Sequence, residues 1–187
     1  MMHIHITGAS GSGTTTLGLA LADILGIRHL DTDHFFWMPT DPPFTTQREV
    51  SARVAMLQQE ARPDAGWVLS GSALKWGADF EPLYDLVVFL TIDPVLRMER
   101  IRMREDSRYG ERIRPGGDMA VQSRAFMDWA QSYDTAGPEH RSLVGHEEWL
   151  RTVTRPVLRL DSSRPLGDLV ADVLNHPAVI AKRPRAS

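Results

Sequence analysis

The sequence predicts an α/β fold, a parallel sheet covered on both faces by helices. Three observations carry this. Short apolar runs of strand length alternate with longer segments of helical periodicity. One run, Leu86-Val87-Val88-Phe89-Leu90, is unbroken, as in a strand buried on both faces. The first strand-like segment ends in a glycine-rich turn that opens a helix. With 187 residues, 42% of them hydrophobic, the chain is long enough for one domain with a sizeable core.

Taken in order, residues 2–7 read as the first strand and residues 14–25 as the first helix. Leu17, Leu21, Ile24 and Leu25 keep helical spacing there, and Gly26 is the expected C-terminal cap. Residues 28–31 form a second short strand that runs into Asp31-Thr32-Asp33. Residues 34–44 are rich in aromatics and prolines and are expected as an ordered loop. A helix over 47–61 follows, then a third strand over 67–70 that ends at Gly71-Ser72, then the fourth over 86–90. Asp93-Pro94 opens a helix with proline in its first turn. The chain is arginine-dense over 97–114 and breaks at Pro115-Gly116-Gly117. Helices over 118–133 and 139–153, a last strand over 157–160 and a last helix over 166–174 complete the pattern. Residues 1–178 are expected to form a single domain, and 179–187 a frayed tail.

Net charge is −3, so no global basic field points to nucleic acid or to an anionic membrane, and both are disfavoured as partners. Cysteine is absent, which removes disulfides and thiolate metal sites and fits a cytoplasmic location. No stretch of about 18 apolar residues is present to span a membrane. Of the 21 basic residues only Lys75 and Lys182 are lysine, so any phosphate recognition must rest largely on arginine.

The glycine-rich turn carries the strongest chemical signal. Gly8-Ala9-Ser10-Gly11-Ser12-Gly13-Thr14-Thr15 has the spacing of a phosphate loop at every position except the lysine, which is Thr14. Its glycines let backbone N–H groups turn inward as an anion nest, and the helix that follows adds its positive end. Gly8, Ser10, Gly11, Ser12, Gly13, Thr14, Thr15 and Thr16 are therefore candidate nucleotide contacts, with Thr15 placed to meet Mg²⁺. A threonine at position 14 carries no charge, so transfer of a phosphoryl group needs another cation. An arginine from 97–114 is the first candidate and Lys75 the second.

Period-2 geometry puts Asp31 and Asp33 on one face at the end of the second strand. One can serve Mg²⁺ through water, and the other an acceptor hydroxyl; simple turn-capping is the other reading. Phe35, Phe36, Trp37 and Phe44 either wall an acceptor pocket or line the core beneath the loop. Seven arginines (Arg97, Arg100, Arg102, Arg104, Arg108, Arg112 and Arg114) suit a closing lid that clamps phosphates, with a solvated helix face as the alternative. His3 and His5 on the first strand are expected to pack neutral in the core, and His146 to lie on a helix surface. Glu147 and Glu148 are possible partners of the lid arginines.

In chain order, the loop Gly8 to Thr15, Asp31-Thr32-Asp33, the strand and turn over 67–72 and the arginine segment resemble the small P-loop kinases of the adenylate kinase-like group. That group includes nucleotide, shikimate and gluconate kinases, and a bacterial branch labelled AAA-family ATPase or topology modulation protein. The resemblance spans roughly residues 1–175. It implies a P-loop NTPase three-layer sandwich, a five-stranded parallel sheet of order 2-3-1-4-5, a helical lid at about 100–118, and ATP with Mg²⁺ as phosphoryl donor. It also implies that Thr15 and Asp31 lie near the metal, and that Asp33 orients the acceptor beside Arg104, Arg108 and Arg112. Asp33, Trp37, Arg53, Gly71 and Lys75 are the candidate acceptor contacts. The expected activity is phosphoryl transfer to a nucleoside, a nucleotide or a small hydroxyl metabolite. The alternative is a nucleotide-binding regulator or slow ATPase.

Overall fold

Five strands, β1 (His3–Gly8), β2 (Arg28–Asp31), β3 (Trp67–Ser70), β4 (Leu86–Thr91) and β5 (Val157–Asp161), pair in parallel in the order β2-β3-β1-β4-β5. This is the order the P-loop resemblance implies. The computed structural model describes residues 1–182. The inner strands β1 and β3 are buried throughout, as expected for a sheet covered on both faces, while the outer β2 and β5 are partly exposed.

Alternation along β1 divides the core. Ile4 and Ile6 point to one face, where they pack with Leu17 and Leu21 of α1 (Thr14–Leu25). His3, His5 and Thr7 take the other face and are buried. There His3 stacks on Trp67 at 4.6 Å and His5 on Tyr84 at 4.8 Å. Both rings act as flat core side chains, as the sequence led us to expect. Burial drops the His5 pKa to about 4, against a weaker upward pull from the Leu69 carbonyl, so the ring is neutral.

The remaining helices are α2 (Thr32–Phe36), α3 (Val50–Glu60), α4 (Pro94–Tyr109), α5 (Ala120–Gln131), α6 (Leu143–Thr152), α7 (Leu166–Leu174) and α8 (Pro177–Ile180). α7 and α8 complete the core on the Ile4 face, and α3 and α6 contribute Leu57 and Leu150 to the other. α4 and α5 form a satellite core around Met98, Ile101 and Ala130.

Several expectations need correction. The loop expected over 34–44 begins instead as the short helix α2, because the Asp31 carboxylate caps it by accepting from the Asp33 N–H at 3.0 Å. α6 starts at Leu143 rather than near 139, because Ser142 Oγ accepts from the Gly145 N–H at 3.1 Å. The 3₁₀ turn Ala78–Leu83 and α8 were too short to leave a readable period. Order continues past residue 178: Val179 is fully buried and Lys182 pairs with Asp85 at 2.7 Å. The remainder of the expected tail, 183–187, lies outside the described residues.

Candidate functional site

Parallel pairing brings the C-terminal ends of β1, β2 and β3 to one edge, where ligands bind in open α/β sheets. The glycine loop leaves β1 there. Gly11 and Gly13 hold φ of 82° and 88°, the left-handed region that only glycine enters freely. Gly8 is needed for closeness: a Cβ there would lie 2.6 Å from the Leu90 carbonyl oxygen. α1 has no side-chain cap at Gly13, so the N–H groups of its first turn have no side-chain acceptor. Ser12 Oγ is buried without a hydrogen-bond partner. An uncapped helix start, a left-handed nest and an orphaned hydroxyl together fit a polyphosphate.

Beside the nest, Thr15 Oγ1 donates to Asp31 Oδ2 at 3.0 Å. α1 and β2 thus place a hydroxyl and a carboxylate side by side, the hard oxygen pair that Mg²⁺ takes together with phosphates and water. Among the described residues no cluster of three or more His, Cys, Asp or Glu forms a metal cage.

A cleft of about 690 Å³ opens from Ser10 of the loop. Of the residues predicted from sequence, Ser10, Asp33, Phe36, Trp37, Phe44, Lys75, Arg104 and Arg108 line it, whereas Phe35 is buried in the core. Asp33 is open to the cleft but crowded by protein. That burial raises its pKa, as does Asp31, while Arg141, Arg104 and Arg108 pull it back down.

Other predicted residues sit elsewhere. Arg53 is buried behind the cleft wall, its guanidinium 3.8 Å from the Phe36 ring centroid and its Nε donating to the Arg48 carbonyl at 2.6 Å. Gly71, with φ of 100°, lies where β3 passes Thr32; a Cβ would fall 1.9 Å from Thr32 Oγ1. Arg112 spends its charge at the rim on Asp41 and Asp118, each at 2.7 Å. Lys75 Nζ donates to the Glu139 carbonyl.

The arginine segment does not act as one clamp. Arg97, only 1% exposed, donates to the Ala130 carbonyl at 2.7 Å and pairs with Asp134 at 2.6 Å, so it ties α4 to α5. Arg100 donates to the Ser162 carbonyl at 3.0 Å, and Arg114 pairs with Asp106 at 2.7 Å. Only Arg104 and Arg108 of the segment reach the cleft lining. Glu147 pairs with Arg159 at 2.7 Å rather than with a lid arginine.

Sequence reasoning passed over Arg141. It lines the cleft, donates from Nη2 to the Gly8 carbonyl at 2.8 Å, and holds its guanidinium 5.8 Å from the Trp129 ring centroid. Burial lowers its pKa, and the charge of Asp33 opposes that shift. The one available signal was its place directly before the Ser142 helix cap. His146, expected on a surface, is fully buried. Its Nε2 contacts Thr7 Oγ1 at 3.3 Å and its Nδ1 contacts the Tyr133 hydroxyl at 2.9 Å. Burial first, then the nearby charges of Arg141 and His5, lower its pKa to about 3.

Comparison with known proteins agrees with this architecture. A family model described as an AAA domain matches residues 4–120. The chain is 41% identical to the uncharacterized protein YqaC of Bacillus subtilis (strain 168) over 174 residues, 93% of this chain and 96% of that protein. It is 30% identical to a cytidylate kinase of Methanococcus maripaludis over 118 residues, 56% of this chain and 65% of that protein. In three dimensions it resembles a shikimate kinase from Bacteroides thetaiotaomicron, with TM-score 0.56, 16% identity, and 92% and 96% of the two chains covered. A gluconokinase from Sinorhizobium meliloti 1021 matches with TM-score 0.55, 18% identity, and 96% and 92% covered. The match over most of the sheet and over nearly the whole of one relative, on a sheet of P-loop order, places this chain in the AAA domain family.

Proposed function

We propose that the chain is an ATP- and Mg²⁺-dependent phosphotransferase acting on a small hydroxyl-bearing acceptor. The observation that carries this is one cleft lined by Ser10 of the glycine loop and by Asp33, with Arg104, Arg108 and Arg141 in the same lining and acting on the carboxylate. The described residues, through the core residue Val179, act together as one functional domain, and the cysteine-free chain suits the cytoplasm.

In this reading the backbone N–H groups of Gly11 and of Gly13 to Thr15 hold the β- and γ-phosphates, the Ser12 N–H being turned to the Ala9 carbonyl, and Ser12 Oγ finds its missing partner there. Thr15 and Asp31 hold Mg²⁺, which supplies Lewis-acid neutralisation of the phosphate oxygens when bound. Asp33 accepts the proton of the acceptor hydroxyl as its oxygen bonds to the γ-phosphorus and ADP departs. Its raised pKa makes it a better base than an ordinary aspartate. The three guanidiniums supply the positive charge that Thr14 does not. Arg112 acts at the rim, through Asp41 and Asp118.

The test is calorimetric titration with ATP and Mg²⁺, followed by an ADP-release screen of acceptors. ATP should bind, ADP release should depend on an acceptor, and Asp33→Asn should lower kcat by about a hundredfold or more with ATP affinity retained. ATP hydrolysis indifferent to acceptors and to Asp33→Asn would instead assign a slow ATPase or regulator, the reading that the uncharged Thr14 favours.

A further inference from the structure

We infer that Lys75 is a positioning residue: it fixes the loop that delivers Arg141 to the phosphate nest. The inference rests on the phosphotransferase reading above and adds a residue that acts through Arg141 rather than on the nucleotide. The sequence suggested Lys75 as a replacement cation in its own right.

The Arg141 guanidinium has few holds of its own. Its Nη2 donates to the Gly8 carbonyl at 2.8 Å, the Trp129 ring centroid lies 5.8 Å away, and its Nε is buried without a hydrogen-bond partner. A long side chain tied at so few points takes its position from its backbone. That backbone belongs to the loop 137–142. At the base of the loop, Ser142 Oγ donates to the Gly137 carbonyl at 2.8 Å, and the His140 N–H turns back on the same carbonyl at 3.2 Å. Pro138, Glu139 and His140 at the apex are exposed. Among the described residues, Lys75 is the one side chain from outside the loop that hydrogen-bonds this apex, its ammonium donating to the Glu139 carbonyl.

Lys75 stands on a fixed base. The turn after β3 is closed by the Gly77 N–H on the Ala73 carbonyl at 2.8 Å. Trp76, whose Nε1 donates to the Ser72 carbonyl at 3.3 Å, is buried in the core. Directly before it, Lys75 holds φ of 71°, in the left-handed region that glycine or asparagine enters far more readily than lysine. Strain of this kind persists only where the surroundings enforce it, and it gathers at ligand clamps and active sites. Lys75 is exposed and lines the cleft, so core packing of its own side chain does not supply the reason. The contact it gains does: a charge-assisted hydrogen bond to a carbonyl 64 positions along the chain.

The two contacts grip one short stretch. Lys75 holds the carbonyl of Glu139, Arg141 holds the carbonyl of Gly8, and a single residue separates Glu139 from Arg141. Without the ammonium the exposed apex can shift and carry the guanidinium off its line to the nest. A misplacement of about 1 Å in such a group can cost up to about a hundredfold.

The test follows Arg141 directly. In the nucleotide-free protein the Arg141 Nε–H gives a proton–nitrogen NMR cross-peak, identified by its loss in Arg141→Gln. Lys75→Met keeps the length of the side chain and removes the donor. It should move that cross-peak and weaken calorimetric binding of a non-hydrolysable ATP analogue with Mg²⁺ by about tenfold. Lys75→Arg, which keeps a donor, should restore both. In an Arg141→Gln background Lys75→Met should weaken binding no further, because the two residues act as a unit. Lys75→Gly removes the donor and the left-handed strain together, so it should repeat the loss of affinity without lowering the urea midpoint. A stationary cross-peak with affinity kept in Lys75→Met would overturn the inference and spare the phosphotransferase reading. A loss that adds in full to that of Arg141→Gln would also overturn it, by making Lys75 a direct contact of the ligand. A lower urea midpoint in Lys75→Gly would reduce Lys75 to a stability role. An analogue that fails to bind the wild type would sink the phosphotransferase reading, and the cross-peak would still decide whether Lys75 places Arg141.

Discussion

The two buried histidines predict a steep loss of stability on mild acidification. His5 and His146 are neutral in the fold, with pKa values lowered to about 4 and about 3 from the ordinary 6.5. Between those values and 6.5 the unfolded chain binds protons that the folded chain refuses, so stability falls as pH falls. The size of the effect at about pH 5 depends only on both folded values lying below 5. Each histidine then forfeits about 2 kcal/mol between about pH 7.5 and pH 5, or about 4 kcal/mol together, a large share of a typical domain's stability. Asp33 works the other way, since its raised pKa lets the folded chain take up a proton early, but it is one group against two. Half-buried His29, lowered by desolvation, adds to the loss. Urea denaturation across this pH range measures it. His5→Phe, which keeps the stacking on Tyr84, and His146→Gln, which keeps a partner for Tyr133, should each remove about 1.4 kcal/mol per pH unit from the slope. A stability flat from about pH 7.5 to pH 5, or an unchanged slope in the double variant, would refute the reasoning.

Two further outcomes follow from named contacts. Gly71→Ala puts a Cβ 1.9 Å from Thr32 Oγ1 at a φ of 100°, so it should cost about 2 kcal/mol or more, read as a lower melting temperature; a wild-type midpoint would mean that β3 and α2 can part freely. Arg141→Gln should slow single-turnover phosphoryl transfer by about a hundredfold, while Thr14→Lys should change the wild-type rate by less than about tenfold; the opposite pattern would show that the loop's missing charge has no substitute.

The sheet was legible because its signals are local. β3 and β4 are short apolar runs, β1 alternates isoleucine with polar residues into the glycine turn, and the cap of α4 is announced by Asp93-Pro94, the Asp93 carboxylate accepting from the Val95 and Leu96 N–H groups at 2.9 and 3.1 Å. The glycine loop was equally plain, since left-handed φ at Gly11 and Gly13 is a property of the residues themselves. The arginines were not legible in the same way. Arg97 and Arg104 share a helical face in sequence, yet one lies sealed against Asp134 and the other lines the cleft. Arg141 stands 133 positions from the carbonyl that holds it, and nothing in its neighbours advertises that contact. His146 misled for the same reason: its flanking glutamates suggest a solvated helix, but one face of α6 lies on the sheet against Thr7.

On the proposed kinase reading, losing the loop lysine is not the same as losing its charge. A lysine at position 14 would extend from the first turn of α1 on four rotatable bonds. The Arg141 guanidinium instead hangs from the Gly8 carbonyl, at the start of the same loop. Its backbone is fixed by the Ser142 cap of α6, and α6 is tied to β1 and to residue 133 through Thr7, His146 and Tyr133. Arg104 and Arg108 belong to α4, whose packing on α5 depends on the Arg97–Asp134 pair. The two sources of charge thus differ in what they require. Arg104 and Arg108 reach the cleft from α4, whose Ile101 and Arg97 carbonyl pack against Gly11, whereas Arg141 hangs from Gly8 itself. On the proposed kinase reading, Arg141→Gln should weaken ATP binding in calorimetry as well as slow transfer, whereas Arg104→Gln and Arg108→Gln should slow transfer with ATP binding kept.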